Sequence, residues 1–207
     1  AELPSALFGN DKRIAEYAEL LQLLAKKARV QGRRVTSSLP VSQVFHTIIN
    51  LPKVEEKEID HLVRAETAKL LLKPLEAVQI VYQKVPLSEE QDKKFTRILV
   101  TAAPKELVAF YSSIFQKAGL QLQELETEAF ALCRSLVGHD QSVSMLVDVG
   151  AERTNFFIVD NGLPVTHRSL QIGGNDIDKV LAQSLAISLG EVSQVKMDLA
   201  DLPFEAV

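Results

Sequence analysis

The sequence has 207 residues and a formal net charge of −4, with 46% hydrophobic and 24% charged residues. This ordinary globular composition leaves room for one large or two small cores, and its weakly acidic balance disfavours nucleic acid as a partner. No apolar run approaches the roughly 18 residues needed to span a bilayer, and a lone Cys133 excludes an internal disulfide and a thiolate metal cage. We therefore expect a cytoplasmic protein.

The first part of the chain is predicted to alternate helices with short strands. Helices are expected at residues 11–30, 55–72, 104–119 and 128–137. The second of these begins with several glutamates, where the helix dipole favours negative charge. Strands are expected at 35–39, 44–51, 78–85, 95–103 and 120–125, with a polar loop at 88–94.

The second part is predicted to hold a strand meander followed by two helices. The strands are expected at 143–149, 154–159 and 164–170, and Asn161-Gly162 favours a type I′ turn between the last two. Helices follow at 176–185 and 188–199, and Ser188 with Glu191 forms a capping box. Interleaved strands and helices indicate an α/β protein. We expect domains at 1–140 and 141–207, with a small subdomain inserted at about 40–95 of the first.

The loop at 148–154 has two interpretations. A carboxylate at a strand end (Asp148), the small Gly150 and the hydroxyl of Thr154 suit a phosphate with its Mg²⁺. The same residues suit a tight turn in which the polar side chains satisfy backbone donors. Gly173-Gly174 before a helix also has two interpretations. Free backbone N–H groups at this position suit an anion, and the two glycines equally suit a bend in the chain.

Glu66 falls on the predicted apolar face of the 55–72 helix, where a buried carboxylate needs a partner. Two roles remain open for Glu66: a structural ion pair and a contact with a partner peptide. Cys133 fits a small core residue better than a nucleophile. No metal-ligand spacing relates the four histidines, which are His46, His61, His139 and His167.

The order of several modest motifs carries more information than any one of them. The motifs are Ile48-Ile49-Asn50-Leu51-Pro52, Glu58, Glu66, Lys73-Pro74-Leu75, Glu126-Thr127-Glu128, Asp148-Val149-Gly150 with Thr154, Asn161-Gly162, Arg168, Gly173-Gly174-Asn175, and Ser188 with Lys196. Over roughly residues 34–200, this order resembles the type IV pilus assembly protein PilM, a family of actin-like ATPases related to the cell-division protein FtsA.

The resemblance implies an actin-like (ribonuclease H-like) fold fragment, truncated at both ends, with an inserted small α+β subdomain of the FtsA/PilM type. It also implies ATP and Mg²⁺ as the cofactors of the full-length family. Asp148 would hold the Mg²⁺ through the phosphates, and Glu128 matches the catalytic position that faces the attacking water. The other implied nucleotide-binding residues are Gly150, Thr154, Asn155, Gly173, Gly174 and Lys196.

Two residues depart from the family pattern. Glu152 stands where actin-like loops often carry glycine, and Ser193 stands where FtsA-like proteins carry a ribose-binding glutamate. The family's first phosphate loop and its adenine-side Gly-Gly loop have no counterpart in the sequence. We therefore expect half a nucleotide site and no ATPase activity from this chain.

The resemblance further implies a cytoplasmic scaffold at the inner face of the inner membrane, attached to the membrane only through partners. It would bind the N-terminal cytoplasmic peptide of a PilN-like bitopic pilus protein and work with pilus ATPases and platform proteins. Val44, Phe45, Ile48 and Glu66 are the candidate peptide contacts. Homo-oligomerisation is left open. The alternatives are an FtsA-like polymerising ATPase of cell division and a secretion-system relative that binds no nucleotide.

Overall fold

The computed structural model describes residues 11–86 and 94–200. Both chain ends, where no complete element is predicted, and most of the predicted polar loop at 88–94 lie outside this part. By their contacts, the described residues form two compact units. Unit 1 runs up to Ser144 and includes Ile158–Thr166, and unit 2 consists of Met145–Phe157 and the residues from His167 onward. The domain boundary near residue 140 and the insert at about 40–95 stay predictions.

Helices and strands interleave along the chain, which confirms the predicted α/β class. The helices of the described residues are α1 (Asp11–Lys27), α2 (Glu56–Leu70), α3 (Lys105–Lys117), α4 (Glu128–Leu132), α5 (Gly174–Leu185) and α6 (Leu189–Ala200). The strands are β1 (Arg34–Leu39), β2 (Phe45–Pro52), β3 (Val78–Lys84), β4 (Phe95–Pro104), β5 (Gln121–Thr127), β6 (Ser144–Val149), β7 (Thr154–Asp160) and β8 (Leu163–Leu170). None of these helices is long and apolar enough to cross a membrane.

The first sheet of unit 1 is the parallel pair β1-β5, which ends with Leu39 opposite Thr127. Helix α3 lies against it, and the fully buried Leu107 clusters with Leu39 and Val44. Helix α1 packs on α3 in turn. Its contact centres on Ile14, Phe110 and Ile114. These apolar stripes recur at helical spacing, so the two helices bury one face each.

The second sheet of unit 1 is antiparallel, with strand order β2-β4-β3. Helix α2 covers one face of it. The cluster beneath α2 consists of Ile49, Leu51, Ile59, Val63, Ile98 and Val100. Because successive strand side chains point to opposite faces, Leu99, Thr101 and Ala103 of β4 belong to the other face. Leu99 is also buried, so β4 is covered on both sides.

The third sheet has the order β6-β7-β8, as the predicted meander requires. Asn161 and Gly162 join β7 to β8 with φ values of 53° and 73°. Both values are positive, which is what a type I′ hairpin turn demands. In unit 2, Phe157 and Val192 are fully buried, and α5 precedes α6, whose first turn is closed by a hydrogen bond from Ser188 N to Glu191 Oε2 at 2.9 Å.

Three local expectations differ from the structure. Pro104 ends β4 and caps α3 rather than opening it, since its ψ of 129° is extended. The predicted 128–137 helix divides into α4 and a π-helical turn, Cys133–Val137. The helical spacing of the apolar residues in 55–72 predicts that Leu70 faces inward, but Leu70 is 50% exposed, because α2 ends there and the chain turns away toward Pro74.

Candidate functional site

A cavity of about 240 Å³ lies inside unit 1. One wall is the face of the β2-β4-β3 sheet that α2 leaves free, and it is lined by Gln79, Val81, Gln83, Leu99, Thr101 and Ala103. Tyr82 of β3 also borders the cavity, although its side chain packs with the cluster on the α2 face. The opposite wall comes from β1, β5, α3, α4 and the segment after β1. It is lined by Leu39, Val44, Val108, Leu125, Glu126, Thr127 and Phe130.

The cavity has a buried floor and an exposed mouth. Leu99 on the floor is 1% exposed, whereas Val81 at the mouth is 60% exposed. Val81 belongs to β3, which pairs with β4 along one edge, and no strand of the described residues pairs with its other edge. An unpaired edge leaves a row of backbone N–H and C=O groups available. The cavity therefore opens to solvent beside a strand edge that can form further hydrogen bonds.

Two threonines line the cavity, and they differ in the hydrogen bonding of their hydroxyl groups. Thr127 is 4% exposed, and its Oγ1 has no hydrogen-bonding partner among the described residues. Thr101 Oγ1 lies 3.1 Å from Nδ1 of His46, and Nε2 of the same ring is hydrogen bonded to the Pro164 carbonyl. A carbonyl only accepts, so Nε2 carries the proton and Nδ1 accepts from Thr101. Burial lowers the pKa of His46, although the bond to Pro164 acts in the opposite direction.

The charged residue of the lining, Glu126, is already paired. Arg134 reaches it through both terminal nitrogens, with Nη1 at 2.8 Å from Oε2. The Glu126 side chain is 18% exposed, so the pair sits at the rim rather than in open solvent. The cavity thus offers a mostly apolar interior with a neutralised charge at its edge.

Glu128 follows Thr127 directly, at the start of α4. Its Oε1 accepts a hydrogen bond from the backbone N–H of Val41 at 3.1 Å. Val41 opens the short 3₁₀ turn Val41–Gln43 between β1 and β2, so this contact ties α4 to the chain that leaves β1. Burial and, next, the negative charge of Glu128 raise the pKa of Tyr111.

Unit 2 contains a chain of hydrogen-bonded polar side chains on its sheet, in which Asn155 is buried and its two partners are partly buried. Asn155 is 2% exposed, and its Nδ2 donates to Asp148 Oδ2 at 3.1 Å. Ser169 Oγ donates to Asn155 Oδ1 at 2.6 Å. Asn155 thereby fixes the orientation of the Asp148 carboxylate.

The loop between β6 and β7 packs against the start of α5. Gly174 N donates to Gly150 O and Asn175 N to Ala151 O, both at 2.8 Å, and Gly173 N donates to Asp176 Oδ2 at 3.2 Å. The first amides of α5 therefore have protein acceptors. A Cβ on Gly173 would lie 2.6 Å from both the Ala151 carbonyl oxygen and the Arg153 nitrogen. Glycine is needed there because the two segments approach so closely.

Comparison with known proteins decides the family. The model of the family described as type IV pilus assembly protein PilM matches residues 6–205. The chain belongs to the PilM family. A solved structure described as the PilM-PilN type IV pilus biogenesis complex is similar to it, with a TM-score of 0.72 and 29% sequence identity. The match covers 88% of this chain and 56% of that chain, so the chain spans a little over half of that relative's length.

A second solved structure shares the fold alone. It is the cytoplasmic domain of EpsL, an inner membrane component of the type II secretion system of Vibrio cholerae. Its TM-score is 0.54 at 8% identity, with 80% of this chain and 60% of that chain covered. The family match and the PilM-PilN structure confirm the resemblance to PilM and the actin-like fold that it implies.

Of the four predicted peptide contacts, the structure places one in the cavity wall. Val44 lines the cavity. Ile48 pairs with Leu99, so its side chain lies on the sheet face that forms one wall of the cavity. Phe45 shares the α2 face by strand alternation. Glu66 lies on α2, half exposed and 2.6 Å from Lys69 Nζ, which favours the ion-pair interpretation.

The predicted nucleotide-binding residues lie close together in unit 2. Asp148 and Asn155 touch, and Gly150 contacts Gly174. Thr154 donates its hydroxyl to Ile172 O, next to Gly173, at 2.8 Å. Lys196 Nζ lies 3.9 Å from the position of a Cβ on Gly174 and 2.9 Å from Asp178 Oδ1. For Gly173-Gly174 the geometry favours the bend over anion binding, because the amides are already paired. Nucleotide contacts from these residues, and catalysis by Glu128, stay predictions.

The cavity residues on β4, β5 and α4, above all Thr127, were not predicted from the sequence. One signal was available. Residues 98–103 form a nearly unbroken apolar run, and such a strand is covered on both faces. The run does not indicate which element covers the second face, so the cavity beside that face was not predicted.

Proposed function

We propose that this PilM-family chain serves in type IV pilus assembly by binding the N-terminal cytoplasmic peptide of a PilN-like bitopic protein in the cavity of unit 1. A structurally similar relative is described as a PilM-PilN complex, which supports a partner of this kind. The chain would then act at the inner face of the inner membrane, held there by its partner, alongside pilus ATPases and platform proteins. The family match favours this function over the FtsA-like alternative.

The observation that carries the proposal is the cavity beside an open strand edge. An extended peptide can add main-chain hydrogen bonds to a free edge and place alternate side chains in adjacent pockets. β3 supplies the edge, and Leu99, Ala103 and Val108 supply apolar surface. At about 240 Å³ the cavity is smaller than the roughly 300–1,000 Å³ typical of small-molecule sites, which favours a few apolar side chains of a peptide.

Calorimetric titration with a synthetic peptide of that N-terminal tail tests the proposal. Val81→Lys places a charge at an already exposed position of the mouth, so the fold should persist while the Kd rises at least about tenfold. Val143→Lys is the matched control, because Val143 is 71% exposed and does not line the cavity. A folded wild-type chain without saturable binding contradicts the proposal.

Glu66 provides a second discriminating variant. Its helix packs on the sheet face opposite the cavity, and its carboxylate is paired with Lys69. Glu66→Ala should therefore leave the Kd within about twofold, since an exposed pair of this kind is worth only about 0.2–1 kcal/mol even to the fold. A large loss of affinity would indicate that the peptide binds to Glu66 and α2 rather than in the cavity.

Nucleotide binding by the intact protein is a second candidate function, and the Asp148–Asn155 pair favours it. Carboxylate oxygen is the ligand type that Mg²⁺ prefers, and Asn155 holds the Asp148 carboxylate in a fixed orientation. When bound, Mg·ATP would supply the phosphoanhydride for hydrolysis. The residues fit this group incompletely, because the α5 amides are already hydrogen bonded within the protein.

A thermal shift with Mg·ATP tests this second function. Saturable stabilisation of the wild-type chain that disappears in Asp148→Asn supports it. Asp140→Asn is the control, since Asp140 lies in an exposed turn where it accepts from Ser142 N at 2.8 Å. The absence of any shift in the wild type would leave unit 2 without a nucleotide role in this chain.

A further inference from the structure

The buried hydroxyl group of Thr127 faces an unmet need for a hydrogen bond. Thr127 is 4% exposed and lines the cavity, yet its Oγ1 has no hydrogen-bonding partner among the described residues. Within residues 11–86 and 94–200, two other buried polar atoms also lack a partner, Gln43 Nε2 and Ser144 Oγ, and neither residue lines the cavity. A buried polar group without a partner costs about 1–3 kcal/mol, so such groups are uncommon unless a ligand serves them.

The surroundings of Thr127 restrict what can serve it. Leu125 precedes it on β5, and Leu39 lies opposite it on β1, so the hydroxyl is set among apolar side chains. Glu126 of the lining is engaged with Arg134 and Thr101 with His46, and the ring of Tyr82 packs with the cluster on the α2 face of the sheet. An occupant that places only apolar atoms against Thr127 would leave the hydroxyl unpaired.

We propose that Thr127 contributes to peptide affinity in the cavity by hydrogen bonding to a main-chain group of an extended peptide, next to an apolar side chain buried on the floor. This inference rests on the proposed peptide-binding function and adds its recognition chemistry. A peptide backbone offers a donor and an acceptor at every residue apart from proline, so one of them can meet the hydroxyl while the side chain fills the apolar space. A purely hydrocarbon ligand cannot do both.

The test compares three variants by titration with the N-terminal peptide and by urea unfolding. Thr127→Val keeps the shape and removes the hydroxyl. Because that hydroxyl has no partner in the free chain, the unfolding free energy should be unchanged or higher, whereas peptide affinity should fall about tenfold, equivalent to about 1.4 kcal/mol. Thr127→Ser retains the hydroxyl and should bind within about threefold of the wild type.

Thr67→Val is the matched control, with the same chemical change at a buried position of α2 that does not line the cavity. Its hydroxyl already donates to the Val63 carbonyl at 2.6 Å, so this variant should lose stability and keep its affinity. Equal affinities of the wild type and Thr127→Val would overturn the inference while leaving peptide binding intact. A loss of stability in Thr127→Val equal to that of Thr67→Val would also overturn it, because the hydroxyl would then serve the fold. No binding by the wild type would instead reject the proposed function itself.

Discussion

The carboxylate of Glu128 holds the backbone N–H of Val41, 87 positions away in the sequence, at 3.1 Å. Val41 is 3% exposed, so its N–H has little access to water. Glu128→Ala should therefore lower the unfolding free energy by about 1.5–3 kcal/mol, the usual value for a hydrogen bond to a charged group. Glu128→Gln keeps an acceptor and should lose less than half of that. Urea unfolding of both variants measures the difference, and equal losses would show that Glu128 acts through some other contact.

A second prediction concerns the two adjacent glycines at the start of α5. Gly173→Ala forces a methyl group to within 2.6 Å of backbone atoms of Ala151 and Arg153, which cannot move aside as a side chain can. We expect a loss of about 1–3 kcal/mol or more, as for other overpacked sites. At Gly174 the nearest atom to a new Cβ is 3.7 Å away, an ordinary contact.

Gly174→Ala is therefore the matched control and should change the unfolding free energy by less than about 0.5 kcal/mol. Gly173 is the N-cap of α5 and Gly174 its first helical residue, so cap and helix preferences alone account for a difference of about 1 kcal/mol between the variants, and a larger difference reports the close approach at Gly173. Equal stability of both would mean that the 150–153 loop moves freely away from α5. In that case the backbone N–H groups at the start of α5 would be available to bind an anion.

The contrast between the hairpin and Gly173 explains how much of the fold the sequence reveals. Asn161-Gly162 specifies its turn by itself, because positive φ is a property of two neighbouring residues. The role of Gly173 depends on a loop about twenty positions earlier, and no local pattern records that contact. Element positions were therefore predictable, whereas the partners of the polar groups at the site were not.

Glu66 shows a different limit, that of helical periodicity. Its spacing of seven from Ile59 places it near the apolar stripe, yet Thr67 takes the buried position and Glu66 lies beside it. A long carboxylate side chain at the flank of a stripe reaches solvent, where Lys69 three residues on can pair with it. Periodicity gives the direction of a Cα–Cβ bond but not the position of a charged end.

A third prediction concerns the polar chain in unit 2. Asn155→Asp replaces the amide that donates to Asp148 with a second carboxylate at a site that is 2% exposed. A buried carboxylate at position 155 and the partly buried Asp148 repel each other, so the variant should be less stable by about 3 kcal/mol at pH 7. One of the two acids should hold its proton to higher pH in the folded state than in the unfolded state. The deficit should therefore shrink as the pH falls toward about 4.

Asn155→Leu separates charge from the loss of hydrogen bonds. It removes both bonds without adding a carboxylate, so its stability deficit relative to the wild type should stay nearly constant between pH 7 and pH 5. Urea unfolding at several pH values measures both deficits. A pH-independent deficit for Asn155→Asp would mean that the new carboxylate turns toward solvent instead of facing Asp148.

The last prediction is the pH dependence set by His46. Burial lowers the pKa of this imidazole, and its neutral form donates from Nε2 to the Pro164 carbonyl and accepts at Nδ1 from Thr101. A His pKa that is lower in the folded state makes the unfolded state bind the proton first on acidification. Stability should therefore be constant above about pH 7.5 and should fall from about pH 6.5 downward, until the pKa of the folded state is passed.

His46→Gln is the matched comparison, since glutamine offers an amide donor and acceptor without titrating in this range. The difference in unfolding free energy between the wild type and His46→Gln should shrink or change sign as the pH is lowered from 7.5 to 5, by at most about 1.4 kcal/mol per pH unit. A difference that stays constant would show that His46 does not contribute to the pH dependence. A difference that grows on acidification would mean that the folded chain favours the imidazolium, which contradicts an Nδ1 that accepts from Thr101.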